Sequence, residues 1–390
     1  MSAASQAVVV RRSGAEGVLA RAWPVAAALA VIVVIAAAAL GTRSGRVALY
    51  TGLFSLDVLA PSPVQPLNLL TRAPIVDRVS YESAGRNVEA VVYRPRDGGR
   101  HGALIISMGV RAWPLDSPRL VRWASDAARA GVVVMAIDSP ELRFDEVRPS
   151  EVEDLVQAFL YLEGQSHVDS ARVGFLGISV GGSLALLAAA DQRIASRVGF
   201  LHVMGAYYSV KEYVRAVTTG DANGWEPSTV AATVLPKQVI DFATRGVDRA
   251  ILLAIFYQQR SEAREGVPFL SPRGRAVFDL LDNKDPARFE ALFTALDPEG
   301  VAALRRLSPA DVVDQIEAPL LILHSRRDHH VPISEAEALR GATADRLAAE
   351  MATFSAFDHV DPQLSALKPA LVSDGLKLYA YLFRLILRLS

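Results

Sequence analysis

Short apolar runs alternate with helical patterns along most of the sequence, and this alternation limits the possible folds more than any other feature. Runs suited to β-strands lie at residues 103–107, 132–137, 173–176, 198–204, 320–324 and 352–357. Continuous apolar runs are typical of strands that are covered on both faces. An antiparallel strand pair is predicted before them, at residues 76–83 and 88–93. The order predicts an α/β protein with a doubly wound, mostly parallel sheet.

The stretch between residues 204 and 320 lacks this alternation. Its patterns are helical instead, at residues 229–242, 249–264, 286–296 and 298–307. We therefore predict a helical cap inserted at about residues 207–310, within a folded domain that spans residues 75–390.

The N-terminal part of the chain has a different composition. Residues 22–42 carry no charge and consist mainly of Ala, Val, Ile and Leu, and a bilayer crossing takes roughly 20 such residues. A cleaved signal peptide is the alternative, because residues 37–39 are all alanine, although its apolar region usually runs only about 7–15 residues. We predict a tail at residues 1–21, a transmembrane anchor at 22–42 and a proline-containing linker at 43–74.

The charge balance and the lack of cysteine exclude several classes of function. The chain has 41 basic and 42 acidic residues, so its net field gives no reason to expect a nucleic-acid partner. It has no cysteine, which excludes disulfides, thiol nucleophiles and Cys-ligated zinc.

Arginines on both sides of the apolar segment give a positive-inside signal for a cytoplasmic N-terminus. We therefore expect a single-pass membrane protein whose folded domain lies on the non-cytoplasmic side.

A candidate nucleophile lies between a predicted strand and a predicted helix. Residues 177–181 read Gly-Ile-Ser-Val-Gly and match the pattern G-x-S-x-G. Small flanking residues permit a sharp turn that lifts the hydroxyl of Ser179 clear of the sheet. A serine hydroxyl needs a base to take its proton and a carboxylate to orient that base.

Two loops after later strands supply those groups. His359 follows the last predicted strand and is the predicted general base, and Asp328 follows the run at residues 320–324 and is the predicted orienting acid. Asp358 and Asp361 are rival carboxylates, but they lie too near His359 in sequence for easy alignment. We expect no metal site at Asp328 and the following histidine pair, because adjacent loop residues rarely converge on one ion.

An oxyanion hole needs two main-chain donors aimed at the developing negative charge. The amide of Val180, directly after the nucleophile, is the first candidate. The loop after residues 103–107 supplies the second, and Val110 is favoured over Gly109.

These motifs together resemble the α/β-hydrolase superfamily, and within it the dienelactone-hydrolase-like and acyl-peptidase-like serine hydrolases. The resemblance covers roughly residues 76–389 and rests on the Ser179 turn, the Asp328 loop ending in Val331-Pro332, and the His359 loop. One departure is Met108-Gly109 where many members have His-Gly.

The resemblance implies an enzyme that hydrolyses a carboxylic ester or related acyl substrate through an acyl-enzyme, without a cofactor, and the composition of residues 22–42 adds the expectation of a membrane anchor. Peptidase or thioesterase activity is the near alternative. A haloperoxidase-like or lyase activity, or a catalytically silent binding module, also stays open.

Overall fold

The computed structural model describes residues 40–59, 66–220, 224–355, 357–362 and 369–389. The predicted tail and nearly all of the predicted anchor, residues 1–39, lie outside this part of the chain. Within the described residues, no helix combines the length and the apolar character that a membrane crossing requires.

The centre of the fold is an eight-stranded sheet with the order β1-β2-β4-β3-β5-β6-β7-β8. The first strands are antiparallel, β1 to β2 and β2 to β4, and all later neighbours are parallel. The predicted doubly wound, mostly parallel sheet is therefore confirmed. The strands are β1 (Ile75–Ser83), β2 (Arg86–Arg94), β3 (His101–Ser107), β4 (Val133–Ile137), β5 (Val168–Ile178), β6 (Phe200–Met204), β7 (Leu320–Ser325) and β8 (Glu350–Phe354).

Helices precede, connect and follow these strands. Outside the segment between β6 and β7 they are α1 (Arg43–Leu59), α2 (Pro66–Leu70), α3 (Pro118–Arg129), α4 (Pro140–Arg143), α5 (Ser150–Glu163), α6 (Val180–Ala189), α13 (Ile333–Thr343) and α14 (Pro369–Leu389). Helices α1 and α2 lie within the predicted linker at residues 43–74.

The segment between β6 and β7, residues 205–319, is called the insertion. Its helices are α7 (Val210–Thr219), α8 (Thr229–Ala243), α9 (Gly246–Phe256), α10 (Pro272–Leu281), α11 (Phe289–Thr294) and α12 (Pro298–Arg305). Within its described residues the structure assigns no strand. Helices α7 and α10 had no counterpart in the sequence patterns, and the pattern at residues 249–264 is split into α9 and a 3₁₀ segment, Ser261–Phe269.

Burial explains why the sequence patterns located the sheet. Every residue of β4 is buried, as expected for a strand with helices on both faces. Helix α6 is apolar all round and is buried from Gly181 to Ala189, so it lies inside the domain.

Parallel strands end at a common edge of the sheet. The loops after β5, β6 and β7 leave this edge and carry Ser179, Gly205 and Asp328. A short antiparallel pair, β9 (Phe357–Asp358) and β10 (Asp361–Pro362), follows β8, and His359 lies in its turn with a φ of 53°.

Candidate active site

Ser179 occupies the sharp turn between β5 and α6. Its φ and ψ angles are 57° and −132°, a conformation that side-chain-bearing residues rarely adopt and that functional turns often contain. The amide of Ser179 donates to the carbonyl of Met204 at 2.7 Å, and its carbonyl accepts from the amide of Gly182 at 2.8 Å. These bonds fix the turn to β6 on one side and to α6 on the other.

His359 and Asp328 form a buried hydrogen-bonded pair. The Nδ1 atom of His359 lies 2.7 Å from Oδ2 of Asp328, and the residues are only 6% and 3% exposed. The other carboxylate oxygen, Oδ1, accepts from the amides of His330 and Val331 at 2.8 and 2.9 Å. A carboxylate with both oxygens engaged holds one orientation and fixes the tautomer of the imidazole that it binds.

The surroundings of Asp328 favour its charged form. Burial raises the pKa of Asp328, but the hydrogen bond and the charge interaction from His359, helped by the amide of Val331, outweigh it and hold this pKa below its ordinary value. His324 is fully buried nearby, and burial lowers its pKa. It is therefore neutral at pH 7, and its Nε2 lies 3.0 Å from the carbonyl oxygen of Val331.

Gly205 links the nucleophile to this pair. It follows Met204, whose carbonyl binds the amide of Ser179, and a Cβ atom built on Gly205 would lie 2.5 Å from Cε1 of His359. The imidazole therefore packs directly on the main chain of the residue next to the Ser179 contact. The free ring nitrogen, Nε2 of His359, is buried and has no hydrogen-bond partner among the described residues, so it makes no hydrogen bond to the hydroxyl of Ser179 in this structure. Catalytic hydrogen bonds are often long before the substrate binds.

The predicted oxyanion residues border the same space. Val180 is the first residue of α6, so its amide belongs to the group that has no partner within a helix. Gly109 lies against the nucleophile, because a Cβ atom built on it would be 2.7 Å from Cβ of Ser179. Val110 and Val180 both line the cavity beside Ser179.

The sequence did not predict the roles of two residues near the site, Trp225 and His330. Trp225 donates through Nε1 to the carbonyl of Asp328 at 2.6 Å. His330, discounted with the histidine pair, lines the cavity and stacks on His359 with ring centroids 4.6 Å apart and planes inclined by 7°. Neither contact has a local sequence signal, because both join residues that are far apart in the chain.

Asp328, His330 and His359 also meet the distance requirement for a metal site, with candidate ligand atoms within 4.8 Å of one another. Two observations oppose that interpretation. Nδ1 of His359 and Oδ2 of Asp328 are already joined by a hydrogen bond. The two imidazole rings are stacked with nearly parallel planes, so the lone pairs in those planes do not converge on one ion.

Parts of this chain are similar in sequence to known proteins. No protein-family model matches the chain. Over 163 residues it is 28% identical to hydrolyase poxO of Penicillium oxalicum, which covers 37% of this chain and 38% of that protein. Over 150 residues it is 31% identical to a probable 2-oxo-3-(5-oxofuran-2-ylidene)propanoate lactonase of Bradyrhizobium sp, covering 34% of this chain and 58% of the relative. The chain thus spans less than two thirds of either relative.

A solved structure also superposes on the chain. The hyperthermophilic esterase from the archaeon Pyrobaculum calidifontis does so with a TM-score of 0.48 and 18% identity, over 86% of this chain and 90% of the esterase.

Proposed function

We propose that this chain, which has an α/β-hydrolase-like fold, is a serine hydrolase that cleaves a carboxylic ester. The observation that carries the proposal is the buried 2.7 Å contact between His359 and Asp328, packed on Gly205 beside the strained turn of Ser179. A general base oriented by a carboxylate next to a serine on such a turn is the arrangement that acyl transfer requires.

The proposed reaction has two halves. Nε2 of His359 takes the proton of Ser179 as Oγ attacks the ester carbonyl, and the amides of Val180 and Val110 stabilise the negative oxygen. The imidazolium formed on His359 is stabilised by Asp328 and returns its proton to the leaving alcohol. A water molecule, activated by the same nitrogen, then hydrolyses the acyl-enzyme.

Attachment to a membrane is a second part of the proposal, and it rests on the uncharged composition of residues 22–42. Salt-resistant sedimentation of the full chain with membranes is expected, together with release when residues 1–42 are deleted. Cleavage of the folded domain by protease added to intact cells is expected if it lies on the non-cytoplasmic side. Digestion only after lysis would reverse the orientation.

The central test is labelling with a fluorophosphonate, which reacts with activated serines. The unmodified protein should be labelled, and Ser179→Ala should not. Ser183→Ala is the matched control, because Ser183 lies one turn further along α6 and its hydroxyl only donates to the carbonyl of Tyr207. Absence of labelling in the unmodified protein, or equal labelling of Ser179→Ala, would remove the proposal and leave a non-catalytic role.

A further inference from the structure

The cavity beside Ser179 has a volume of about 50 Å³. Much of its wall is one face of helix α8, formed by Val230, Ala231, Val234, Leu235 and Gln238. These positions are spaced by three and four residues, so they lie along a single stripe of the helix.

The polar side chains of the insertion that reach this wall are already satisfied. The hydroxyl of Tyr207 donates to the carbonyl of Leu307 at 3.0 Å. The hydroxyl of Tyr213 donates to the carbonyl of His330 at 2.5 Å. A ligand therefore meets the rings of both tyrosines and not their hydroxyl groups.

Gln238 is engaged in the same way. Its Nε2 donates to the carbonyl of Asp145 at 3.0 Å and its Oε1 accepts from the amide of Val147 at 3.2 Å. Among the described residues that line the cavity, none is Lys, Arg, Asp or Glu. The wall thus offers apolar surface, with Ser179 and His330 as its remaining polar side chains.

The position of the cavity relative to the reacting groups decides which part of a substrate it receives. Ser179, Val180 and Val110 line it, whereas His359 does not. In an acyl-enzyme the carbonyl carbon is bonded to the serine and its oxygen faces the oxyanion donors, while the leaving group lies toward the base that protonates it. The acyl side chain is therefore the part that enters the cavity.

Resting on the proposed function, we infer that the substrate of this site carries a short, uncharged, aliphatic acyl group. The cavity volume is about a third of that of an engineered apolar cavity of about 150 Å³ that binds benzene, so only a short chain fits inside it. A carboxylate on the acyl group would lie in an apolar wall without a cationic partner, which is strongly unfavourable.

The full chain should be tested with p-nitrophenyl acetate, butyrate, octanoate and hemisuccinate. We expect kcat/KM for butyrate to exceed that for octanoate by about tenfold or more, the scale on which a pocket discriminates a few methylenes. We expect a larger preference for butyrate over hemisuccinate, which has a similar length but a negative charge. Equal or better hydrolysis of octanoate or hemisuccinate would overturn the inference.

Substitutions on the α8 stripe test the location of the acyl group. Val230→Ala should enlarge the cavity and raise the octanoate-to-butyrate ratio, and Val234→Phe should fill it and lower kcat/KM for butyrate more than for acetate. Val217→Ala is the matched control, since Val217 is a partly buried helical valine of the insertion that does not line the cavity. An unchanged selectivity in both cavity variants would contradict the inference.

Fluorophosphonate labelling separates this inference from the proposed function. A protein that is labelled at Ser179 but prefers octanoate retains the proposed function and loses the inference. A protein that is not labelled loses the proposed function first.

Discussion

The indole Nε1 of Trp225 donates a 2.6 Å hydrogen bond to the main-chain carbonyl of Asp328. The next two carbonyls of this loop are also bound by the insertion. That of His329 accepts from the amide of Ser228 at 2.6 Å, and that of His330 accepts from the hydroxyl of Tyr213 at 2.5 Å. Three consecutive main-chain carbonyls after β7 thus accept hydrogen bonds from the insertion. The side chain of Asp328 is bound separately, by His359 and by the amides of His330 and Val331.

Replacing Trp225 tests this positioning. Trp225→Phe keeps an aromatic ring but removes the donor, and loss of one hydrogen bond to a partly buried carbonyl typically costs about 1 kcal/mol. We expect a loss of that size in urea unfolding, and a lower kcat with little change in KM. Trp123→Phe is the matched control, because Trp123 packs edge-on against Phe54 on another part of the fold. A kcat effect as large in Trp123→Phe would show that the coupling is not specific.

Replacing Asp328 tests the orientation of His359. Asp328→Asn keeps the side-chain shape but favours the wrong imidazole tautomer, and we expect kcat for p-nitrophenyl butyrate to fall by about 10⁴-fold, as in other triads. Retention of more than a tenth of the activity would argue that another carboxylate, such as Asp358, orients the base.

The same variant has a predicted pH signature. The pKa of Asp328 is lowered in the folded state, so its ionised form stabilises the fold above the unfolded pKa of about 3.9, and this contribution is lost as the pH falls through the folded pKa. The stability advantage of the unmodified protein over Asp328→Asn should therefore shrink below about pH 4. Urea unfolding at several pH values measures it, and an advantage that grows on acidification would contradict the assignment.

Substituting Gly205, with Gly85 as the control, distinguishes the steric effect of a side chain on His359 from the strain of a positive φ. Its φ is 64°, and a Cβ atom would lie 2.5 Å from Cε1 of the imidazole. We expect Gly205→Ala to displace the ring and lower kcat by at least about 100-fold, the scale on which a misplaced catalytic group acts. Gly85→Ala is the control, since Gly85 has a φ of 76° and no atom within 4 Å of a built Cβ. It should cost only stability, about 1 kcal/mol, and equal activities of the two variants would contradict the packing argument.

Glu151 on α5 gives a stability prediction outside the site. Burial, with a smaller contribution from the neighbouring charge of Asp154, raises the pKa of Glu151 to about 7. The stabilisation associated with its protonated form is complete below the unfolded pKa of about 4.3 and is lost as the pH rises to the folded value. Glu151→Gln does not titrate, so it should become more stable than the unmodified protein as the pH rises, by up to about 3 kcal/mol at pH 8.

Glu153 provides the control for that measurement. It lies on the same helix, and hydrogen bonds from Arg193 and Gln157 lower its pKa. Glu153→Gln should therefore be less stable than the unmodified protein at pH 8, the opposite sign. Denaturant unfolding at about pH 5 and pH 8 compares both variants, and parallel curves for both would contradict the assignment of Glu151.

Strand positions could be predicted because buried strands consist mainly of apolar residues, which can be identified in the sequence. The apolar runs that became β4, β6 and β7 are short, and the strands are buried along most of their length, as expected for strands covered on both faces. Strand β5 is longer than its apolar run, because its first residues, from Val168 to Arg172, are partly polar, and of these only Val168 pairs with β3, at His101. The prediction that Ser179, Asp328 and His359 lie at one edge follows from parallel strands ending together.

The remaining features depend on contacts between distant segments. The bond from Trp225 to Asp328 spans 103 residues, and no periodic pattern records such a pairing. The role of His330 depends on the orientation of the Asp328 loop, which places its ring on His359. Helix α7 is different, because it carries a local signal that the sequence patterns above did not use: Ser209 caps it, and its buried residues Val210, Tyr213 and Val214 are spaced by three and four positions.

The three bound carbonyls also limit how a protein of this kind can diversify. Deleting the insertion, or exchanging it for that of another protein, would remove the donors of Trp225, Ser228 and Tyr213 and leave the loop of the acid without its partners. Changes on the cavity-facing stripe of α8 leave those donors in place. Point substitutions along that stripe can therefore change the substrate preference while the loop of Asp328 keeps its partners, whereas exchanging the whole insertion cannot.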